Sequence, residues 1–196
     1  MSDDRIFDLS GRELRKTLKL MAKTNSCLSD WLFSDVIYYA DPDFIKDIRD
    51  AHNLYYNPLS AVYHFANMAK TIYDIFDISA EIPVKKFLYF LRAVLCVEYI
   101  LSNESHPPVN FIKMLSCMKI ADEFKTQLRD IVDEKSQIGE GCRIRISAEL
   151  KSFALERFKI MNQNISSYRT IMDKQKPGVR LLDELATKYI SRHYAD

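Results

Sequence analysis

Apolar residues recur along most of this 196-residue chain at the three-and-four spacing of a helix, and the interruptions carry recognisable start and stop signals. Ile6-Phe7-Asp8-Leu9 is the exception near the amino terminus: it alternates apolar and polar positions and reads as the end of a strand. Ser10, followed three positions later by Glu13, forms a capping-box pattern. Leu14, Leu18 and Met21 then make a stripe flanked by Arg15, Lys16, Lys19 and Lys23, which predicts a helix over 11–23. Asn25 or Ser26 caps a short helix through Trp31-Leu32, and the β-branched and aromatic Val36-Ile37-Tyr38-Tyr39 predicts an extended stretch. Asp41-Pro42 and Asn57-Pro58 each pair an N-cap side chain with proline at the first helical position, predicting helices over 42–55 and from 58 to about 76.

Beyond Pro83 the pattern changes. Phe87, Leu88, Leu91, Val94, Leu95, Ile100 and Leu101 leave almost no polar side, so this helix is expected at the centre of a core. Pro107-Pro108 marks a loop over 103–108, since proline cannot continue a helix. Helical spacing resumes over 109–118 and 121–135, and Gly139-Glu140-Gly141 breaks it. Arg143-Ile144-Arg145-Ile146 alternates briefly, a long helix is predicted over 147–174, and Pro177-Gly178 separates it from a last helix carrying Leu181, Leu182, Leu185 and Tyr189. The fold class expected is mainly α, a helical bundle with one or two short N-terminal strands.

Composition narrows the chemistry. A chain that is 47% hydrophobic and 28% charged has a globular balance, and a formal net charge of +1 supplies no global field toward nucleic acid or acidic membranes. Only 4 glycines are present, which disfavours glycine-rich phosphate loops. The amino terminus is polar, and the apolar run around Val94 to Leu101 is broken by Glu98 and too short to span a bilayer, so a cytoplasmic protein without membrane contact is expected. Cys27, Cys96, Cys117 and Cys142 form no Cys-x-x-Cys pair, and reduced, mostly buried thiols are expected. His52, His64, His106 and His193 are too scattered for a local metal motif, and the Walker, dinucleotide-binding, zincin and nucleophile-elbow signatures are absent. Tyrosine and phenylalanine recur at helical spacing, so core packing accounts for them better than base stacking.

The order of unusual polar groups among the apolar helices carries a resemblance. Asp8-Leu9-Ser10-Gly11 with Glu13-Leu14-Arg15-Lys16, then Lys23-Thr24-Asn25, Trp31-Leu32, Val36-Ile37-Tyr38, Tyr63-His64, Met68-Ala69-Lys70, Lys85 to Arg92 and Pro107-Pro108 with Phe111 follow one another over residues 6 to about 141. In this the chain resembles the RNA ligase-associated polymerase-β-type nucleotidyltransferases. The resemblance implies nucleotidyl transfer from a nucleoside triphosphate, in full-length relatives to RNA, at magnesium ions held by an Asp-x-Asp pair after a Gly-Ser turn and by a third carboxylate on a later strand. Asp8 matches the third position. Arg12 stands where the family usually has tryptophan, and Asp35 where it usually has proline. No Gly-Ser turn precedes Asp8, and one carboxylate does not assemble a two-metal site.

The expectation is therefore the carboxy-terminal part of such an enzyme: a remnant of the catalytic core over 1–40, a helical domain over 41–138 and a helical extension over 139–196. It is expected to be inactive alone, with Mg2+ bound only when a separately encoded N-terminal half supplies the missing ligands. Arg15, Lys16, His64, Lys70, Lys85, Lys86 and Arg92 are the candidate contacts to nucleotide or RNA phosphates. His64 is expected to be a hydrogen-bonded structural group more often than a ligand. Arg92, a charge within an apolar helix, requires an acidic partner or an anionic ligand. The alternative is a non-catalytic helical module that binds protein or RNA.

Overall fold

The structure, a computed structural model, describes residues 10–75, 82–138, 143–144, 146–168 and 177–193. Among these the protein is mainly α. Its helices are α1 (Leu14–Ala22), α2 (Ser26–Leu32), α3 (Pro42–Tyr55), α4 (Pro58–Ile75), α5 (Val84–Asn103), α6 (Phe111–Cys117), α7 (Asp122–Ile138), α8 (Ala148–Asn164) and α9 (Arg180–His193). Two short strands, β1 (Ile82–Pro83) and β2 (Arg143–Ile144), pair antiparallel with Ile82 opposite Ile144. The strand expected over Ile6 to Leu9 lies outside the described residues, as do Asp8 and Cys142.

The helix starts follow local chemistry. Asp41 Oδ1 accepts from Phe44 N at 2.9 Å with Pro42 behind it, Asn57 Oδ1 accepts from Ser60 N at 2.9 Å, and Ser147 Oγ accepts from Leu150 N at 3.1 Å. The capping box at Ser10 does not form. Glu13 is itself the N-cap of α1, accepting from Arg15 N at 3.0 Å, and its extended backbone moves the helix start past the register in which Ser10 would cap. Val36 to Tyr39 joins no strand ladder among the described residues: it follows α2 as an exposed connection, with a local turn in which Ser34 Oγ accepts from Val36 N at 3.1 Å and with neighbouring Asp35 paired to Lys113 Nζ at 2.8 Å.

Two apolar clusters organise the helices. In the larger one α5 lies at the centre, as its nearly all-round apolar pattern requires, with α4 packed along it and α6, α7 and α8 around it. Leu91, Val94, Leu95 and Val97 have no exposed surface at all. The smaller cluster joins Leu18 and Met21 of α1, Leu28 and Leu32 of α2, and Ile48, Ala51 and Tyr55 of α3 with Leu182 and Ala186 of α9. The last helix thus returns to the first three. Asp47 of α3 anchors it, receiving Lys188 Nζ at 2.6 Å and the Tyr189 hydroxyl at 2.8 Å, while the Tyr55 hydroxyl donates to Gly178 O. Buried Thr24 links the α1–α2 turn to the α3–α4 junction, donating to Tyr55 O at 3.2 Å and accepting from Asn57 N at 3.1 Å. No helix of the described residues is long and apolar enough to cross a membrane.

Thiol burial departs from expectation. Cys96 is buried, but Cys27 and Cys117 are exposed, because both stand on the outer sides of short helices whose inner faces are filled by Leu28, Leu32, Met114 and Leu115.

Candidate functional site

The polar interior that needs explanation lies where α2, α3 and α5 meet the Pro107-Pro108 loop. Arg92 sits one helical turn beyond Leu88 on α5, among apolar neighbours, and its side chain is 15% exposed. Its Nη2 lies 3.6 Å from Asp30 Oδ1 of α2, and its Nη1 donates to Pro108 O at 3.2 Å. The partner required for this buried charge is therefore a carboxylate brought by a different helix. The same Asp30 oxygen lies 3.3 Å from His106 Nε2, on a side chain only 6% exposed. Asp30 Oδ1, Arg92 Nη2 and His106 Nε2 are buried atoms that converge without a hydrogen bond of their own among the described residues.

A second layer of rings backs this junction. Phe33 lies with its ring centroid 5.6 Å from that of His106 and 4.9 Å from that of His52, and Tyr56 lies 5.4 Å from His52 and 6.1 Å from His106. Ser29 Oγ lies 2.8 Å from His52 Nε2, a hydrogen bond whose donor depends on the imidazole tautomer, and 3.2 Å from Asn25 O. His52 Nδ1 has no hydrogen bond among the described residues. Burial, with a smaller effect from neighbouring His106, pushes His52 down to about 4. Burial likewise raises the Tyr56 hydroxyl, and it pushes the Cys96 thiol up to about 12. These groups stay neutral near pH 7 and act as packing and hydrogen-bonding partners of the charged pair.

The junction is the inner end of an open cleft of about 600 Å³ between α5, α6 and α7. Leu88, Tyr89, Val109, Phe111 and Val132 make its walls, and Asp30, Arg92, Lys135 and Ser136 supply its polar groups. Val132, Lys135 and Ser136 are spaced i, i+3, i+4 and so share one face of α7. Chemically the cleft offers an apolar body and an anchored guanidinium, with an exposed ammonium from Lys135. Among the described residues no group of three or more His, Cys, Asp or Glu side chains is arranged to hold a metal ion.

The candidate phosphate contacts are distributed over several elements. Arg92 lies at this junction. Arg15 and Lys16 are exposed on α1, where Arg15 lines a different cleft, of about 570 Å³, with Lys19 and α9. His64 is exposed on α4, edge-on to Phe65 at 5.2 Å, and Lys70 is half-buried on the same helix. Lys85 and Lys86 are exposed in the first turn of α5. Residue-type reasoning passed over Asp30, His106 and Lys135, which the fold gathers from three separate segments.

A family model described as the RNA repair pathway DNA polymerase beta family matches residues 2–188. The chain belongs to this family. A curated relative, the uncharacterized protein YcgL of Bacillus subtilis (strain 168), is 32% identical over 130 residues, which are 66% of this chain and 50% of YcgL. The chain therefore matches about half the length of that relative. No solved structure matches.

Proposed function

We propose that this chain forms the helical part of a cytoplasmic nucleotidyltransferase acting on RNA ends, in which nucleoside triphosphate and RNA are the substrates. The family match over residues 2–188 carries this reading. Asp8 would be the third carboxylate of the metal site. It is a hard oxygen donor of the kind Mg2+ takes, but Mg2+ requires near-octahedral coordination and a two-metal site needs several shared carboxylates. The Asp-x-Asp pair would come from a polypeptide segment other than these 196 residues, on the chain or on a partner. The metal would supply charge neutralisation at the triphosphate, while the basic side chains named above would position phosphates.

The test supplies nucleoside triphosphate, Mg2+ and RNA to the chain alone and to the chain combined with a Gly-Ser…Asp-x-Asp polypeptide taken from a relative. Transfer is expected only in the combination and is lost with Asp8→Ala. Efficient transfer by the pure chain would overturn the incomplete-site reading, and failure of the combination would overturn the enzymatic one.

One observation favours a second reading, a protein-interaction module. Tyr38 is 98% and Tyr39 91% exposed, beside exposed Val36 and Ile37, and Trp31 is half exposed with Arg12 at 4.8 Å over its ring. In that reading Asp8→Ala leaves partner binding unchanged.

A further inference from the structure

The cleft between α5, α6 and α7 has the volume and lining of a small-molecule site, and the geometry of its inner end is built rather than incidental. A site of about 600 Å³ holds a ligand of mononucleotide size. Its only strongly constrained polar group among the described residues is the Arg92 guanidinium, fixed from two directions by Pro108 O and Asp30. Asp30 is in turn approached by His106, whose ring is clamped against Phe33. A guanidinium has five N–H donors in a planar fork, and Pro108 takes one of them. Nη2 is buried beside Asp30, so the donors left to an oxyanion are those of Nε and the second N–H of Nη1, held in a fixed plane, which lowers the cost of engaging it. On α7, Lys135 adds an exposed cation on the same face as Ser136, whereas Asp133 and Glu134 are not among the lining residues. The same cleft is lined by Tyr89 and Phe111, two aromatic surfaces suited to a planar base, and by aliphatic Leu88, Val109 and Val132.

We propose that this cleft binds one nucleoside 5′-phosphate unit, its phosphate between Arg92 and Lys135 and its base against Tyr89 and Phe111. Two cations against one carboxylate favour a phosphate, and the apolar walls favour the nucleoside over a bare inorganic anion. The unit is either a free nucleotide or the terminal nucleotide of an RNA. Asp30 and His106 are positioning residues that hold the guanidinium. This inference rests on the nucleotide-handling reading above but locates it in the helical part, apart from Asp8.

The test is equilibrium dialysis of the full chain against radiolabelled AMP, against a short oligoribonucleotide with a 5′-phosphate or a 5′-hydroxyl, and against inorganic phosphate. Binding of AMP, or of the phosphorylated but not the hydroxyl oligonucleotide, is expected, and the two arms separate the free from the terminal source. Lys135→Ala should weaken it by about tenfold, the scale of one charge-assisted hydrogen bond. Val132→Trp, which fills the cleft from a half-buried position, should weaken it by at least about tenfold while thermal melting shows both variants folded. Absence of binding, binding of inorganic phosphate as tight as that of AMP, or folded variants that bind like wild type would each overturn the proposal. The two readings fail separately. A reconstituted enzyme that transfers normally with Val132→Trp condemns this site alone, whereas nucleotide binding that Val132→Trp abolishes, without any transfer, condemns the enzymatic reading and leaves the site.

Discussion

Acidification should destabilise this protein through His52, in a pH window fixed by burial of its ring. The imidazole is 3% exposed, surrounded by Phe33, Tyr56 and His106, with Nε2 hydrogen-bonded to Ser29 and no hydrogen bond at Nδ1 among the described residues. Protonation of the ring would bury a charge there. Burial and, to a lesser degree, neighbouring His106 hold His52 at about 4, with a smaller opposing effect from Asn53, whereas the unfolded chain takes up this proton near 6.5. A folded-state value below the unfolded one means that the unfolded state binds more protons between these limits. The stability is therefore fully present above about 6.5 and is lost as pH falls toward about 4. The whole shift corresponds to about 3 kcal/mol, and the part lost between pH 7 and pH 5 to about 2 kcal/mol. Glu98 acts in the opposite sense: burial raises its carboxyl against the pull of Arg157, so acidification relieves part of its desolvation. Urea unfolding of wild type and His52→Gln at a series of pH values isolates the histidine, because the Glu98 effect is common to both. With an m-value of about 2 kcal/mol/M, the wild-type midpoint should fall by about 1 M more than that of the variant between pH 7 and pH 5. Parallel pH profiles for the two proteins would refute the assignment of a buried, neutral His52.

Two further perturbations address the two cores separately. Leu91→Ala empties a site with no exposed surface at the centre of α5 and should cost about 2–5 kcal/mol in urea unfolding; a cost below about 1 kcal/mol would show that the larger core is not packed around this helix. Asp47→Asn removes the carboxylate that Lys188 and Tyr189 share, whose ionised form these two hydrogen bonds favour, and should speed hydrogen exchange over α9 while leaving α4 and α5 protected. Equal exchange in wild type and variant would remove Asp47 as the anchor of the last helix.

The helices are legible in the residues because their causes are local. Asp41-Pro42, Asn57-Pro58 and Ser147 cap helices by contacts to backbone groups three residues away, and the apolar circumference of α5 predicts its central place without reference to a partner. Ser10 shows the limit of such patterns: two cap-forming residues competed, and Glu13 took the position itself. Exposure is harder to read. Tyr38 and Tyr39 have the composition of a strand, yet without a neighbouring strand to pair with they remain in an exposed connection. The return of α9 to α1 and α3 depends on Leu182, Ala186 and the Asp47 contacts, none of which differs in kind from an ordinary amphipathic face.

The site divides along the same line. Electrostatics alone requires that Arg92, within an apolar helix, meet a negative charge, and that requirement holds whatever the fold. It does not name Asp30, which looks like any polar residue of a short helix, nor His106, which looks like part of a Pro-Pro loop. The histidines fail as a sequence motif because their convergence is made by tertiary structure: α3 brings His52, the loop brings His106, and Phe33 fills the space between them. The requirement at Arg92 is therefore more informative than any spacing pattern, since a buried cation must be answered from elsewhere in the chain. Of the elements that answer it, α2 also contributes Asp30 to the lining of the cleft, and Val109 follows directly after Pro108. Asp30→Asn would leave the contacts of Pro108 intact but weaken the hold on the guanidinium, so nucleotide affinity should fall with little change in the cleft's shape. Equal affinities for Arg92→Lys and for the double variant Asp30→Asn/Arg92→Lys would show that the carboxylate acts through the arginine, and additive losses would show that it does not.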